Sequence, residues 1–333
     1  MPNAIITGLG HYLPERVVTN AEMEKMIDTT DEWITERTGI KERRWFKPGF
    51  DTTSNMGTKA AQEALKDAGL SAEDIDFIIF ATLSPDYNFP GCGVLVQQQL
   101  GIKEIGALDV RNQCSGFIYG LSVAEAYIKS GMYKNILLIG SEIQTNVYDL
   151  STKGRSLSVI FGDGAGAAVI SATEDENRGI LSTHLHSQGE HALELTLREP
   201  GSLHPKRIYE GFTDDYDGIY PYMNGQNVFK HAVTRFPEVI KEALDKNNKS
   251  VEDIDILVPH QANLRISSYV QQKLGLKDEQ VVNNIQKYGN TTAASIPIAL
   301  SEAKKDGRIK EGQLVCLAAF GSGFTWASAL IKW

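Results

Sequence analysis

The sequence predicts an α/β protein: a five-layer αβαβα sandwich made of two duplicated halves, residues 1–172 and 173–333. Three observations lead there. First, the chain contains itself twice. Residues 64–76 read ALKDAGLSAEDID and residues 243–255 read ALDKNNKSVEDID, with Ala, Leu, Ser, Glu, Asp, Ile and Asp coinciding at a constant offset of 179. Second, helical and strand patterns alternate, which implies mainly parallel or mixed sheets covered on both faces. Third, two helical segments are apolar on nearly every side. Such helices are buried all round, and two of them between two sheets complete five layers.

Taken in order, the elements support this. Each copy of the repeat runs into an apolar, β-branched strand, Phe77-Ile78-Ile79-Phe80 or Ile256-Leu257-Val258. Leu100-Gly101-Ile102-Lys103 is echoed by Leu274-Gly275-Leu276-Lys277. The strand Ile105–Val110 gives way, after Cys114, to the apolar helix Gly116–Ile128, in which Ser122 and Glu125 are the clearly polar residues. Its counterpart, Ala293–Leu300, follows Asn290. Late in each half a strand (Asn135–Ile139 or Leu314–Leu317) leads to a Gly-rich turn, FGDGAGAAVI from Phe161 or FGSGFTWASALI from Phe320.

Composition bounds the function. The chain has 333 residues, 42% hydrophobic and 23% charged, with a formal net charge of −9. A general nucleic-acid binder is usually basic, so no nucleic-acid partner is expected, and an anionic partner must meet a local patch. No apolar run is long enough to span a membrane. Three cysteines and no signal-peptide pattern at Met1–Thr7 point to a reducing, cytoplasmic setting.

Three groups carry the chemistry. Cys114 lies at the start of a buried helix, where the macrodipole favours thiolate. Ser115 and Gly116 beside it are small enough to let a carbonyl approach. Cys92 and Cys316 read as structural. His260 ends the strand Asp255–Pro259, and Asn263 is positioned to cap the next helix. Asn290 precedes the second buried helix, the place Cys114 holds in the first half. Cys, His and Asn thus all fall at strand ends, where ligands gather in α/β sheets. A sulfur nucleophile with two hydrogen-bonding groups suits acyl transfer.

Other motifs lead nowhere. Gly8-Leu9-Gly10 is followed by Leu13 and Pro14, and Gly162, Gly164 and Gly166 lack dinucleotide-binding spacing. His184, His186 and His191 read as a solvated strand edge, so no metal site is expected. Asp214, Asp215 and Asp217 lack calcium-loop spacing.

A resemblance covers nearly the whole chain. Asp31-Glu32-Trp33-Ile34 through Arg37-Thr38-Gly39-Ile40, Cys114-Ser115-Gly116-Phe117, Phe161–Gly166, Pro259-His260-Gln261-Ala262-Asn263, Tyr288-Gly289-Asn290-Thr291 and Phe320–Phe324 resemble the ketoacyl synthase III branch of the thiolase-fold condensing enzymes. The resemblance implies a thiolase-like five-layer sandwich. It implies that Cys114 takes an acyl primer from acyl-CoA, and that malonyl-acyl carrier protein then loses CO2 and condenses with it, initiating fatty acid synthesis. His260 and Asn290 would hold the enolate oxygen, and the N–H groups of Cys114 and Ser322 the oxyanion. Thr29, Trp33, Arg37, Arg155, Gly225 and Asn263 resemble coenzyme A contacts. Lys230, Arg265 and Lys273 resemble a carrier-protein docking face, and Phe89 a residue crossing a homodimer interface to the partner's acyl pocket. Coenzyme A enters as a substrate thioester, and no resident cofactor is implied.

Two departures stand out, Arg111-Asn112-Gln113 before the nucleophile and a long stretch from about Ser187 to Tyr222. They bear on primer length. An alternative keeps the acyl-cysteine but uses an acyl-CoA or secondary-metabolite acceptor. A noncatalytic acyl-binding member of the fold would be expected to lack the nucleophile.

Overall fold

The computed structural model describes residues 1–198, 201–202 and 217–333, with the side chain of Asp217 left out. Of the long stretch noted above, Glu199-Pro200 and residues 203–216, which include Gly211-Phe212-Thr213-Asp214-Asp215, lie outside the described residues.

Two sheets organise the chain. In chain order the first half contributes β1 (Asn3–Tyr12), β2 (Arg16–Thr19), α1 (Asn20–Met23), α2 (Asp31–Thr38), β3 (Glu42–Trp45), α3 (Thr53–Ala68), β4 (Phe77–Ala81), α4 (Cys92–Gln99), β5 (Gly106–Val110), α5 (Gly116–Lys129), β6 (Asn135–Glu142), α6 (Arg155–Ser158) and β7 (Gly164–Thr173). There follow β8 (Gly179–Ser187), β9 (Leu195–Thr196), β10 (Tyr222–Met223), α7 (Gly225–Lys246), β11 (Ile256–Pro259), α8 (Leu264–Leu274), α9 (Ile285–Tyr288), α10 (Ser295–Lys305), β12 (Leu314–Gly321) and β13 (Thr325–Lys332). The first sheet runs β1-β7-β6-β4-β5 and the second β11-β12-β13-β8. Their pairings correspond: β4 is parallel to β6, which is antiparallel to β7, and β11 is parallel to β12, which is antiparallel to β13.

Five layers result. α3 covers β1, β7 and β6, and α4 covers β4 and β5. On the other face α5 and α10 lie between the sheets, α5 touching β6 and β4 as well as β8 and β13, and α10 touching β1 and β7 as well as β11. α7 covers β12, β13 and β8, and α8 packs on α7. α5 is buried along most of its length, as its composition predicts, but Ala126 is exposed, so its burial is not complete. A smaller unit, built on the β2–β3 hairpin, α1, α2 and α9, has its own core of Val18, Met23, Ile27, Ile34, Ile40, Val159 and Ile285.

Glycine lets the segment before α10 lie directly on the first sheet. Gly140 and Gly166 face each other across β6 and β7. A Cβ at Gly140 would come 2.4 Å from the Ala293 carbonyl oxygen, and one at Gly166 would come 2.7 Å from the Ile298 nitrogen. Backbone therefore rests on backbone there. The Gly-rich run after Phe161 serves this packing.

Filling that gap forces α10 off the sheet. Gly140→Ala and Gly166→Ala should each lower stability by about 1–3 kcal/mol, the usual cost of overpacking. Gly189, with nothing within 4 Å of an added Cβ, should accept Ala with little change. Chemical denaturation decides this, and a Gly166→Ala protein as stable as the parent would show that the segment can relax.

Candidate active site

Cys114, His260 and Asn290 are all buried and are linked through short contacts. Cys114 sits between the end of β5 and the first residue of α5. Gly321, the last residue of β12, presses on it: an added Cβ there would meet Cys114 Cβ at 2.6 Å and Sγ at 2.8 Å. His260 follows β11, and its backbone N–H donates to Ala318 of β12 at 2.8 Å, three residues before Gly321. Asn290 is stitched to the strand entry by two backbone bonds, Asn290 N–H to Ile160 O at 2.9 Å and Gly162 N–H to Asn290 O at 3.1 Å. Gly162 has no room for a side chain because Tyr288 O lies 2.2 Å from where its Cβ would be. Beyond Asn290, Ala293 packs over Gly116 beside the cysteine, and Ser295 bonds His260.

Each polar group has a defined role in this cluster. Asn290 Oδ1 accepts the Thr292 N–H at 2.8 Å, which leaves the amide's two N–H donors free. His260 Nδ1 lies 2.6 Å from Ser295 Oγ, while Nε2 is buried without a partner. Ser295 Oγ accepts from the Gln261 N–H at 3.4 Å, and Nδ1 is the acceptor left for its own hydrogen. The hydrogen bonding therefore assigns the ring proton to Nε2. Burial pushes His260 down to about 3, so the ring is a neutral donor at physiological pH.

The thiol departs from expectation. Burial, reinforced by the charge of Glu142, pushes Cys114 up to about 12, so the free protein holds a thiol where the helix N-terminus predicted a thiolate. Backbone hydrogen bonding at Cys114 and Ser322 acts the other way, but less strongly. At Cys316 burial acts alone, which fits its reading as structural, and Cys92, also buried, heads α4 with its N–H given to Asp109.

Glu142 was missed in the sequence. It ends β6, is fully buried, and accepts from Leu83 N–H (3.1 Å), Ser84 Oγ (2.7 Å), Gln144 Nε2 (3.0 Å) and Thr82 Oγ1 (3.2 Å). Burial raises its carboxyl to about 7. A lone acid closing the apolar run Asn135–Ser141 was the available signal. Asn112, from the unusual Arg111-Asn112-Gln113, accepts from Thr325 Oγ1 at 3.2 Å, and the same hydroxyl lies 2.8 Å from Ser115 Oγ.

Trp33, Arg37 and Arg155 come together at the surface. The Arg37 and Arg155 guanidinium carbons lie 4.6 and 4.8 Å from the Trp33 ring centroid. Arg155 also donates to Asp28 O at 3.1 Å. Asn263 caps α8 as predicted, accepting the Arg265 N–H, and its Nδ2 donates to Arg37 O at 2.9 Å. Thr29 lies nearby in sequence with its hydroxyl buried and unpartnered. Gly225, the first residue of α7, is exposed. Lys230, Arg265 and Lys273 are exposed and form no salt bridge among the described residues, and Arg265 leans 5.8 Å from the Phe229 ring centroid across the α7–α8 contact. Phe89 is 84% exposed beside the 59% exposed Tyr87.

One expectation about decoys needs correction. His184 and His186 do lie on the edge strand β8, but both turn to Glu242 of α7, at 3.3 and 2.6 Å, and only His186 is solvated, its side chain 37% exposed against 10% for His184. His191 stacks on His231 and Phe324.

Comparisons with known proteins converge on these elements. The family described as 3-oxoacyl-[acyl-carrier-protein (ACP)] synthase III matches residues 108–189, around Cys114, and its C-terminal part matches residues 244–333, which hold His260, Asn290 and Ser322. Beta-ketoacyl-[acyl-carrier-protein] synthase III of Salmonella arizonae is 47% identical over 327 residues, 98% of each chain. That of Caldanaerobacter subterraneus subsp. tengcongensis is 46% identical over 328 residues, covering 98% of this chain and 97% of its own. The crystal structure of 3-oxoacyl-[acyl-carrier-protein] synthase III from Aquifex aeolicus VF5 matches with a TM-score of 0.91 at 44% identity, over 99% of this chain and all of that one. Fold, motif positions and full-length identity agree, and the chain belongs to the 3-oxoacyl-[acyl-carrier-protein] synthase III family.

Proposed function

We propose that this protein condenses an acyl-CoA primer with malonyl-acyl carrier protein, with loss of CO2, to give a 3-oxoacyl-acyl carrier protein and so initiate fatty acid synthesis. The observation that carries this is the buried Cys114 sulfur pressed against the end of β12, where a Cβ added at Gly321 would lie 2.8 Å from it, in a chain whose buried His260 keeps Nε2 unpartnered among the described residues. The alternative with a different acceptor has no such support.

The reaction divides in two. The Cys114 sulfur attacks the acyl-CoA carbonyl, whose oxygen is held by the backbone N–H groups of Cys114 and Ser322. The C–S bond to coenzyme A breaks, and the thiol proton leaves with coenzyme A, so no net charge is buried. Malonyl-acyl carrier protein then loses CO2. The enolate oxygen takes hydrogen bonds from His260 Nε2–H and an Asn290 N–H, and the enolate carbon attacks the Cys114 thioester. The tetrahedral oxyanion returns to the same two N–H groups, the Cys114–acyl bond breaks, and the sulfur takes one proton from solvent. Neutral donors suit this chemistry: a charged imidazolium would hold the malonyl carboxylate and oppose its loss.

Binding surfaces follow the same reading. Trp33 and Arg155, with Arg37 and Thr29, receive the adenine nucleotide of coenzyme A, and Asn263 and Gly225 border its pantetheine path. Lys230, Arg265 and Lys273 offer the acidic carrier protein a local positive field on a chain of net charge −9. The exposed Phe89 is proposed to meet a second copy of the chain at the acyl pocket. The two sheets, drawn from residues 3–173 and 179–332, support a division into halves near residues 172 and 173.

Incubation with acetyl-CoA and longer acyl-CoAs, followed by peptide mapping, should place the acyl group on Cys114 alone. An adduct confined to Cys92 or Cys316 would overturn the assignment. His260→Ala and Asn290→Ala should slow condensation by about 10²–10³-fold, the usual loss for an oxyanion donor, while Cys114 acylation survives better. Equal loss of both half-reactions would instead make His260 the base for Cys114.

The low His260 value has a sign that can be checked. The unfolded ring binds a proton below about 6.5 and the folded ring does not until about 3, so this group's stabilisation is lost as pH falls between them. Denaturation midpoints of the parent should therefore fall faster than those of His260→Ala from pH 6.5 to 4. Parallel curves would contradict a neutral buried ring.

Arg265→Glu should raise KM for malonyl-acyl carrier protein and leave acylation by acyl-CoA nearly unchanged. Added salt should weaken carrier binding, since fields are screened over about 8–10 Å. Carrier kinetics indifferent to both would place the docking face elsewhere.

A further inference from the structure

Arg43 heads the largest side chains sealed completely from solvent, and it forms no salt bridge among the described residues. A buried cation without a counterion is costly unless its hydrogen bonds are well made. Arg43 spends its guanidinium on three acceptors: Nη1 donates to Val18 O (3.3 Å) and Asn20 Oδ1 (2.8 Å), and Nη2 to Val159 O (2.8 Å). Nε has no partner.

Those acceptors lead in two directions. Val159 directly follows α6, whose first residue is Arg155. Asn20 passes the contact on: its Nδ2 donates to Asp31 Oδ1 at 2.7 Å and to Ile40 O at 2.7 Å. Asp31 is the first residue of α2, which carries Trp33 and Arg37, and it also accepts from Thr35 Oγ1 at 3.1 Å. Ile40 lies just past the other end of that helix. One planar fork thus fixes both sides of the aromatic–guanidinium cluster, α6 through Val159 and α2 through Asn20 and Asp31.

We propose that Arg43 is the positioning residue of the nucleotide cradle, fixing α6, which carries Arg155, relative to α2, which carries Trp33 and Arg37. This rests on the reading that Trp33, Arg37 and Arg155 receive the nucleotide of acyl-CoA. Arg43 touches no substrate. Lysine, a point charge on a flexible stem, cannot replace a fork that reaches two elements at once.

The test compares acetyl-CoA with acetyl-pantetheine, which has the same reacting thioester but no nucleotide. Arg43→Lys removes the fork. Asn20→Asp keeps an acceptor for Arg43 but abolishes donation to Asp31 and Ile40, and it serves where Arg43→Lys does not fold. Trp33→Ala tests the cradle itself. Cys114 acylation is followed by mass spectrometry over a range of each thioester. Arg43→Lys or Asn20→Asp should raise KM for acetyl-CoA by about tenfold, the value of one charge-assisted hydrogen bond. Acylation by acetyl-pantetheine should stay unchanged. An equal fall with both thioesters would make Arg43 a general structural residue, and an unchanged KM for acetyl-CoA would also overturn the proposal. If Trp33→Ala leaves the preference for acetyl-CoA intact, the cradle reading itself fails; if Trp33→Ala abolishes it and the Arg43 and Asn20 variants do not, only the relay fails.

Discussion

The site depends on how closely one stretch of backbone can approach a sheet. Residues 288–298 lie on Gly140, Gly162 and Gly166, with separations that exclude even a methyl group. That approach fixes three things together. It sets Asn290 against the strand entry at Ile160–Gly162, brings Ala293 over Gly116 next to the nucleophile, and places Ser295 under His260. Close packing does not deform gradually, so a shift at any one glycine displaces several catalytic groups at once. The same requirement recurs at Gly321, where the end of β12 packs directly on the cysteine.

Within that frame, burial sets the charges. His260 is kept neutral, Glu142 is poised near neutrality by burial against its hydrogen bonds, and the polarity of the site comes from N–H dipoles and an amide. Dipoles fixed by the fold need no reorganisation when charge appears on a substrate oxygen. Under the proposed function, a thioester enolate and a tetrahedral oxyanion are both transient anions that neutral donors suit.

Much of this was legible in the sequence because period and punctuation encode it. The strand ends before Cys114 and His260, the buried character of α5 and α10, and the cap at Asn263 follow from local pattern, whereas Asn290, expected at a strand end, follows the short helix α9 instead. What stayed hidden is long-range. Arg43 sits in the charged string Glu42-Arg43-Arg44, where nothing marks one arginine as sealed and its neighbour as half-buried. Ser295 reads as an ordinary helix residue until His260 is placed beside it. The two histidines of β8 look solvated until α7 brings Glu242 across them. The thiol's surroundings stayed hidden for a related reason: helix position is visible in sequence, whereas the burial that raises Cys114 is not.

That protonated thiol has a consequence for the protein between turnovers. Burial raises Cys114 well above the ordinary thiol range, so the resting site favours thiol over thiolate. Peroxide and soft electrophiles react with thiolate, and the oxidation ladder beyond sulfenic acid is irreversible without dedicated repair. A resting enzyme of this kind is chemically quiet toward oxidants and alkylating metabolites. Under the proposed function, its reactivity is released when a bound thioester supplies a leaving sulfur to carry the proton away. Selectivity here lies in when the nucleophile exists as well as in what it can reach.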